Sequence, residues 1–210
     1  MTKVIWILSS LFMALTLFGC QINNPNIDQK QLSGIWLKSI PNTQFQEGLW
    51  LKPDGDLRFI NIYSMKGDIW ELNSRNDLVL SSHTANYPKP IAKINKIIHL
   101  DSEKLILNLK EHVYTKARNE LYYGEYTYLA DAARFKHCKT GKTYPILFSG
   151  DHISMERRYL SMQPKPGEWI AADVRGVLTT VASVDSSKPT KALYITEFIR
   201  FDRTEGCSKH

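Results

Sequence analysis

The sequence is poor in cysteine, with three thiols in 210 residues, at Cys20, Cys138 and Cys207. None falls between 21 and 137, so a Cys-x-x-Cys metal or redox pair is excluded from that whole stretch. There is no Gly-x-Ser-x-Gly, no His-Glu-x-x-His and no glycine-rich phosphate loop. The usual hydrolase, metalloprotease and nucleotide-binding signatures are therefore missing, and no enzyme activity is expected. Helical periodicity is lacking from residues 31–113, and no apolar run after the N-terminus is long enough to span a bilayer. The charge excess is mild, +6 with a sequence pI near 9.1. A basic balance suits an anionic lipid surface or simple solvation better than nucleic acid in a chain that leaves the cytosol.

Export is what the first residues indicate. Lys3 gives a short positive start, and Val4 to Phe18 form an apolar run of about 15 residues, the length of a secretory h-region. It ends in Leu17-Phe18-Gly19-Cys20, which resembles the bacterial lipobox, with Phe18 bulkier than the pattern usually shows. The resemblance implies a signal peptide over 1–19, acylation of Cys20 and a polar tether over 20–30. Several acyl chains anchor firmly where one does not. Gln21, in place of an aspartate, points to the outer membrane rather than the inner one.

Cys138 lies in a basic, turn-rich segment beside His137, where a metal ligand, a reactive thiol or half of a disulfide are all open readings. An oxidising compartment favours the last. With Cys20 acylated, Cys138 and Cys207 are left to pair, closing a loop of roughly 70 residues worth about 4 kcal/mol in the chain-entropy model. Soft donors occur nearby, and His137, His152 and Met155, with Met162, are the weak metal candidates. No pair of them has a recognisable ligand spacing, and core methionines with solvated histidines account for them equally well. Glu71 and Asp77 form a carboxylate pair better read as surface charge. Glu156, Arg157 and Arg158 read as a solvated helix face, and Asp131 as a residue that braces a bend. No cofactor is expected.

The pattern is all-β. Short apolar runs over 31–115 are separated by two to six polar residues, and Asp54-Gly55 marks a hairpin. Trp36 in a Gly-Ile-Trp run followed by this meander resembles the lipocalin-like domains of bacterial lipoproteins. That implies a small barrel, filled by side chains or holding an apolar ligand. The charged segment Lys116–Leu121 is the expected boundary. Beyond it, over 120–208, two strands, a helix starting at Asp151 and two long strands suit a five-stranded OB barrel. The helix is expected to turn Ile153, Met155, Tyr159 and Leu160 inward.

This half carries a more specific resemblance. Ala130-Asp131-Ala132-Ala133, Phe135, Cys138-Lys139-Thr140-Gly141-Lys142, Glu156-Arg157-Arg158-Tyr159-Leu160, Val174-Arg175-Gly176 and Cys207 occur in the order of the C-terminal OB domain of the NlpE family. Members are outer-membrane lipoproteins linked to copper homeostasis and to envelope-stress signalling after surface contact. The resemblance implies an outer-membrane anchor, a Cys138–Cys207 bond and a non-enzymatic sensor or adaptor with an envelope protein as partner. The family's N-terminal Cys-x-x-Cys is absent, which removes that route to copper. The alternative is a carrier that binds a small apolar ligand or lipid in the first barrel.

Overall fold

The computed structural model describes residues 27–108, 112–183 and 188–207. The expected signal peptide and the expected acylation site Cys20 lie outside the described residues.

The described chain begins inside the expected tether of 20–30, whose last two residues are helical. Asp28 caps a single turn, α1 (Gln29–Leu32), by accepting from the Lys30 amide at 3.0 Å, while Gln31 reaches back to the Asp28 amide at 3.2 Å. The turn places Leu32 in the core, where its carbonyl accepts the Trp36 indole N–H at 2.7 Å.

Nine antiparallel strands follow. They are β1 (Gly34–Ser39), β2 (Gln46–Leu51), β3 (Leu57–Ile60), β4 (Lys66–Leu72), β5 (Leu78–His83), β6 (Ile91–Asn95), β7 (Ile97–Leu100), β8 (Lys104–Leu107) and β9 (His112–Ala117). Their hydrogen bonds form a six-stranded sheet, β3-β2-β1-β9-β8-β7, and a three-stranded sheet, β4-β5-β6. The last strand returns to the first, with Leu37 opposite Thr115. The two sheets touch through the bridge of Asp56 with Ile69 and the bond from the Trp70 amide to the Gly55 carbonyl at 2.8 Å. The run "PIAKINKIIHL" is mostly apolar. In the structure it bends at Lys96, so that β6 pairs with β5 and β7 with β8. The interior is filled by Trp36, Leu49, Leu51, Leu57, Trp70, Leu78, Leu105 and Leu107.

The second half is an OB barrel. Its strands are β10 (Glu120–Leu129), β11 (Ala132–His137), β12 (Thr143–Gly150), β13 (Ile170–Ala182) and β14 (Pro189–Asp202), and α2 (His152–Ser161) follows β12. The barrel closes in the order β10-β11-β12-β14-β13, with β12 and β14 parallel. Two strands, β10 and β11, precede the Lys-Thr-Gly-Lys turn. Ala130 and Asp131 both take positive φ, 49° and 58°, and form a tight hairpin between Leu129 and Ala132. The Tyr128 hydroxyl donates to Asp131 Oδ1 at 3.0 Å and braces that turn.

Adjacent strand faces serve two different cores. Leu193 and Ile195 point into the OB barrel with Tyr126, Phe135, Ile146 and Val174. Ala192 and Tyr194 point the other way, and together with Leu147, Val177 and Val181 they pack on Ile35, Leu37 and Ile60. The N-terminal sheet and the OB barrel thus share a third, dry core. Trp50 meets Tyr194 edge to face at 6.2 Å, and the Thr180 amide donates to Gln46 Oε1 at 3.1 Å.

Candidate functional site

The helix α2 packs against β12 and β14 of the OB barrel and carries the buried histidine of this half. Gly150 makes the entry possible. Its φ is +72°, and a Cβ there would sit 2.1 Å from the Ile195 carbonyl oxygen, so no other residue fits. Asp151 ends the turn as the expected first cap, yet its carboxylate makes no cap bond to the helix. It accepts the Phe198 amide at 2.7 Å, while its own amide donates to the Ile195 carbonyl at 2.9 Å. The residue therefore ties the helix start to β14.

The buried face of the helix is His152, Met155 and Tyr159, spaced i, i+3, i+7. This corrects two expectations. Ile153 and Leu160 are exposed on the outside, at 59% and 49%, and His152 is fully buried instead of solvated. Its Nε2 lies 3.4 Å from the Tyr126 hydroxyl and 3.8 Å from Glu156 Oε2, and the Phe148 ring packs edge-on at 5.3 Å. Its Nδ1 has no hydrogen-bond partner among the described residues. Desolvation holds the imidazole below its ordinary pKa, opposed in part by the Glu156 charge. The same burial pushes the Tyr126 phenol well up. The spacing with Met155 and Tyr159 was the signal in the sequence that placed His152 inside.

The metal candidates do not converge. His137 Nδ1 is 3.1 Å from Thr140 Oγ1, and its ring stands edge-on to Tyr122 at 5.5 Å. Burial lowers its pKa, as does the nearby Lys139. Met155 is a core residue at 0% exposure, and Met162 packs against the same core. Cys138 is bonded to Cys207, with Cα atoms 4.8 Å apart. Among the described residues, no three His, Cys, Asp or Glu side chains gather as a metal ion requires. Glu71 and Asp77 form no dyad, since Asp77 is held by the Asn73 amide group at 3.2 Å and Glu71 is exposed.

The disulfide fastens the C-terminal segment to the barrel wall. The Cys138 amide donates to the Tyr123 carbonyl at 2.9 Å, and the Cys207 amide donates to Glu125 Oε1 at 3.4 Å. Arg200 prepares the approach by bonding Asp173 at 2.6 Å, Asp202 at 3.2 Å and Glu205 at 3.1 Å.

The lipocalin-like half offers surface clefts. A cleft of about 330 Å³ is lined by Ile27, Gln31, Arg75, Asp77, Lys96 and Ile98 among others. A second, of about 630 Å³, runs between Leu37, Pro41, Gln46 and Val113. What the arrangement presents is therefore surface. A two-sheet module and an OB barrel, each with a filled interior, are locked by a shared core, and apolar side chains stand on the outer face of α2 and along β6.

Residues 116–208 match the family model for the NlpE C-terminal OB domain, and residues 28–120 match the lipocalin-like model. Lipoprotein NlpE of Escherichia coli (strain K12) is 32% identical over 85 residues, covering 40% of this chain and 35% of the relative. The chain thus spans about a third of the length of the curated relative it matches. The crystal structure of the Cpx pathway activator NlpE from Escherichia coli aligns over 85% of this chain and all of that one, at 21% identity and a TM-score of 0.38. A lipocalin-like protein from Bacteroides thetaiotaomicron aligns over 41% of this chain and 97% of its own, at 17% identity and a TM-score of 0.35.

Proposed function

For a chain that joins a lipocalin-like module to an NlpE-type OB module, we propose the role of a non-enzymatic envelope sensor or adaptor. It is anchored to the outer membrane through acylated Cys20 and signals envelope stress to another envelope protein. The observation that carries this reading is the match of residues 116–208 to the NlpE C-terminal OB domain. The lipobox at Leu17–Cys20 and the disulfide of the OB module support it, since both belong to an exported protein. Packing favours an adaptor over a carrier. Trp36 and Trp70, each at most 1% exposed, fill the space an apolar ligand would need. Direct copper handling forms no part of the proposal, because no three His, Cys, Asp or Glu side chains gather among the described residues and Met155 is packed in the core.

The test pairs two measurements on the native host. Mass analysis of the mature protein is expected to find acyl groups on Cys20. An envelope-stress reporter is expected to rise when the chain is overproduced and to lose part of its response when the gene is deleted. A reporter unmoved by both manipulations overturns the sensor reading. A mature protein without fatty acid overturns the anchor.

A further inference from the structure

The bent strand of the first module leaves an edge that the rest of the fold does not explain. Strand β6 pairs with β5 along one edge, and its other edge has no partner strand among the described residues, because the chain turns at Lys96 into the opposite sheet. Residues 91–94 are exposed on both faces of the strand. The exposed residues are apolar, with Tyr87 at 67%, Ile91 at 63% and Ile94 at 56% exposure. A free edge bearing isoleucines invites association.

The charge along the same edge has one sign. From Leu78 to Leu100 the sequence contains no aspartate or glutamate, while Lys89, Lys93 and Lys96 are exposed and carry no side-chain ion pair among the described residues. Acidic groups on neighbouring elements are mostly engaged. Asp68 of β4 is bonded to His83 at 2.9 Å, Asp101 to His99 at 2.8 Å, and Asp77 lies 3.7 Å from Arg75. Glu71, on β4, and Glu103, beside Asp101, are exposed exceptions. Isoleucine and tyrosine interleaved with lysine is the composition of an interfacial anchor, with apolar side chains in the headgroup region and ammonium groups on phosphates.

Chain geometry supplies the location. Ile27 and Gln31 line the cleft that Lys96 and Ile98 form at the bend, so the described chain starts beside this edge. Six residues lie between Cys20 and Ile27, and the seven steps reach at most about 24 Å when fully extended. Resting on the anchored reading given above, we propose that the β6 edge is a membrane-docking surface. It lies on the anionic phospholipid of the leaflet that holds the acyl chains, and the anchor becomes a two-point attachment that fixes the orientation of the OB module. Each lysine contributes about fivefold to association with an anionic surface, so the three together contribute about a hundredfold.

The test places a photoreactive diazirine amino acid at Ile94 in the full acylated protein, reconstituted into phosphatidylethanolamine vesicles with phosphatidylglycerol or into phosphatidylcholine vesicles. Phospholipid adducts are expected at position 94 with the anionic vesicles. Their yield should fall severalfold with phosphatidylcholine or with Lys89→Gln/Lys93→Gln/Lys96→Gln. A yield no higher than from the same amino acid at Ile153 on α2 overturns the docking surface. So does an adduct to a second copy of the chain, the other occupant a free edge could take. Flotation on phosphatidylcholine vesicles reads the acyl anchor separately. Protein that floats without lipid adducts at 94 sinks the docking surface alone. Protein that does not float sinks the anchor, and adduct formation with anionic vesicles then decides the docking surface by itself.

Discussion

Replacing both bonded cysteines, Cys138→Ala with Cys207→Ala, separates two ideas about what holds the C-terminal half together. The cross-link spans 69 residues, and the chain-entropy model assigns such a loop about 4 kcal/mol, felt in the unfolded state. Part of this is returned in the variant. Residues 203–207 are otherwise held by exposed contacts, Arg200 to Glu205 at 3.1 Å and the Cys207 amide to Glu125 at 3.4 Å, and exposed ion pairs are worth little. The freed segment would fray and regain backbone entropy of about 1 kcal/mol or more per residue, against the few contacts it loses. A net loss of about 2–4 kcal/mol is therefore expected. Its thermal consequence depends on what unfolds. A lone OB module of about 90 residues would lose roughly 10–30 °C, whereas the whole described chain unfolding as one unit would lose roughly 5–15 °C. The shared core of Ile35, Leu37, Leu147, Val177 and Tyr194 argues for the second case. Urea titration gives the free-energy loss and calorimetry gives the shift and the number of transitions. A loss under about 1 kcal/mol would refute the entropy argument. Two separated transitions in the oxidised protein would refute the single unit.

Three further outcomes follow from buried polar groups and from one glycine. The folded-state pKa of His152 is depressed by burial, so its contribution is fully present above the unfolded value near 6.5 and is lost as pH falls from there toward the folded value. Urea midpoints are expected to drop below pH 6.5. His152→Gln should flatten that slope more than His137→Gln, whose imidazole is less buried, and an unchanged slope removes His152 as the cause. Tyr194 is fully buried with its hydroxyl unpartnered, so Tyr194→Phe is expected to raise stability by about 1 kcal/mol, read by the same titration. A loss instead would show that the hydroxyl is bonded. Gly150→Ala places a methyl against the Ile195 carbonyl at positive φ, and is expected to cost more than about 1 kcal/mol; a neutral variant would contradict the strained entry to α2.

Much of the architecture was legible because local chemistry and global fold agree. Asp54-Gly55 announces the β2–β3 hairpin, with Gly55 at φ +86°, and the tyrosines of β10 alternate as the barrel requires. The disulfide partners followed from compartment and number. The failures have physical causes. The β10–β11 hairpin turns on Ala130-Asp131, which takes positive φ without the glycine or asparagine that normally marks it. The bend at Lys96 lies inside an apolar run that is uniform in composition, so nothing in the local pattern divides β6 from β7. Histidine suggests solvent, and only its spacing from Met155 and Tyr159 reveals that His152 is interior.

The joint between the modules was hidden for a different reason, and its signal is present. A strand with one dry face alternates, yet β1 reads Ile35-Trp36-Leu37 and β14 reads Ala192-Leu193-Tyr194-Ile195, with every residue buried. Unbroken burial in an antiparallel strand requires a partner on each face. In β1, Trp36 belongs to the lipocalin-like core and its neighbours to the joint; in β14, Leu193 and Ile195 belong to the OB core and Ala192 and Tyr194 to the joint. Each barrel therefore leaves an apolar face that only the other covers. A force or ligand acting on one module is transmitted through packed side chains instead of a hinge, since interiors at this density do not deform continuously. Under the anchored-sensor role proposed above, the orientation of the first module on the membrane and the presentation of the second to a partner become a single mechanical variable.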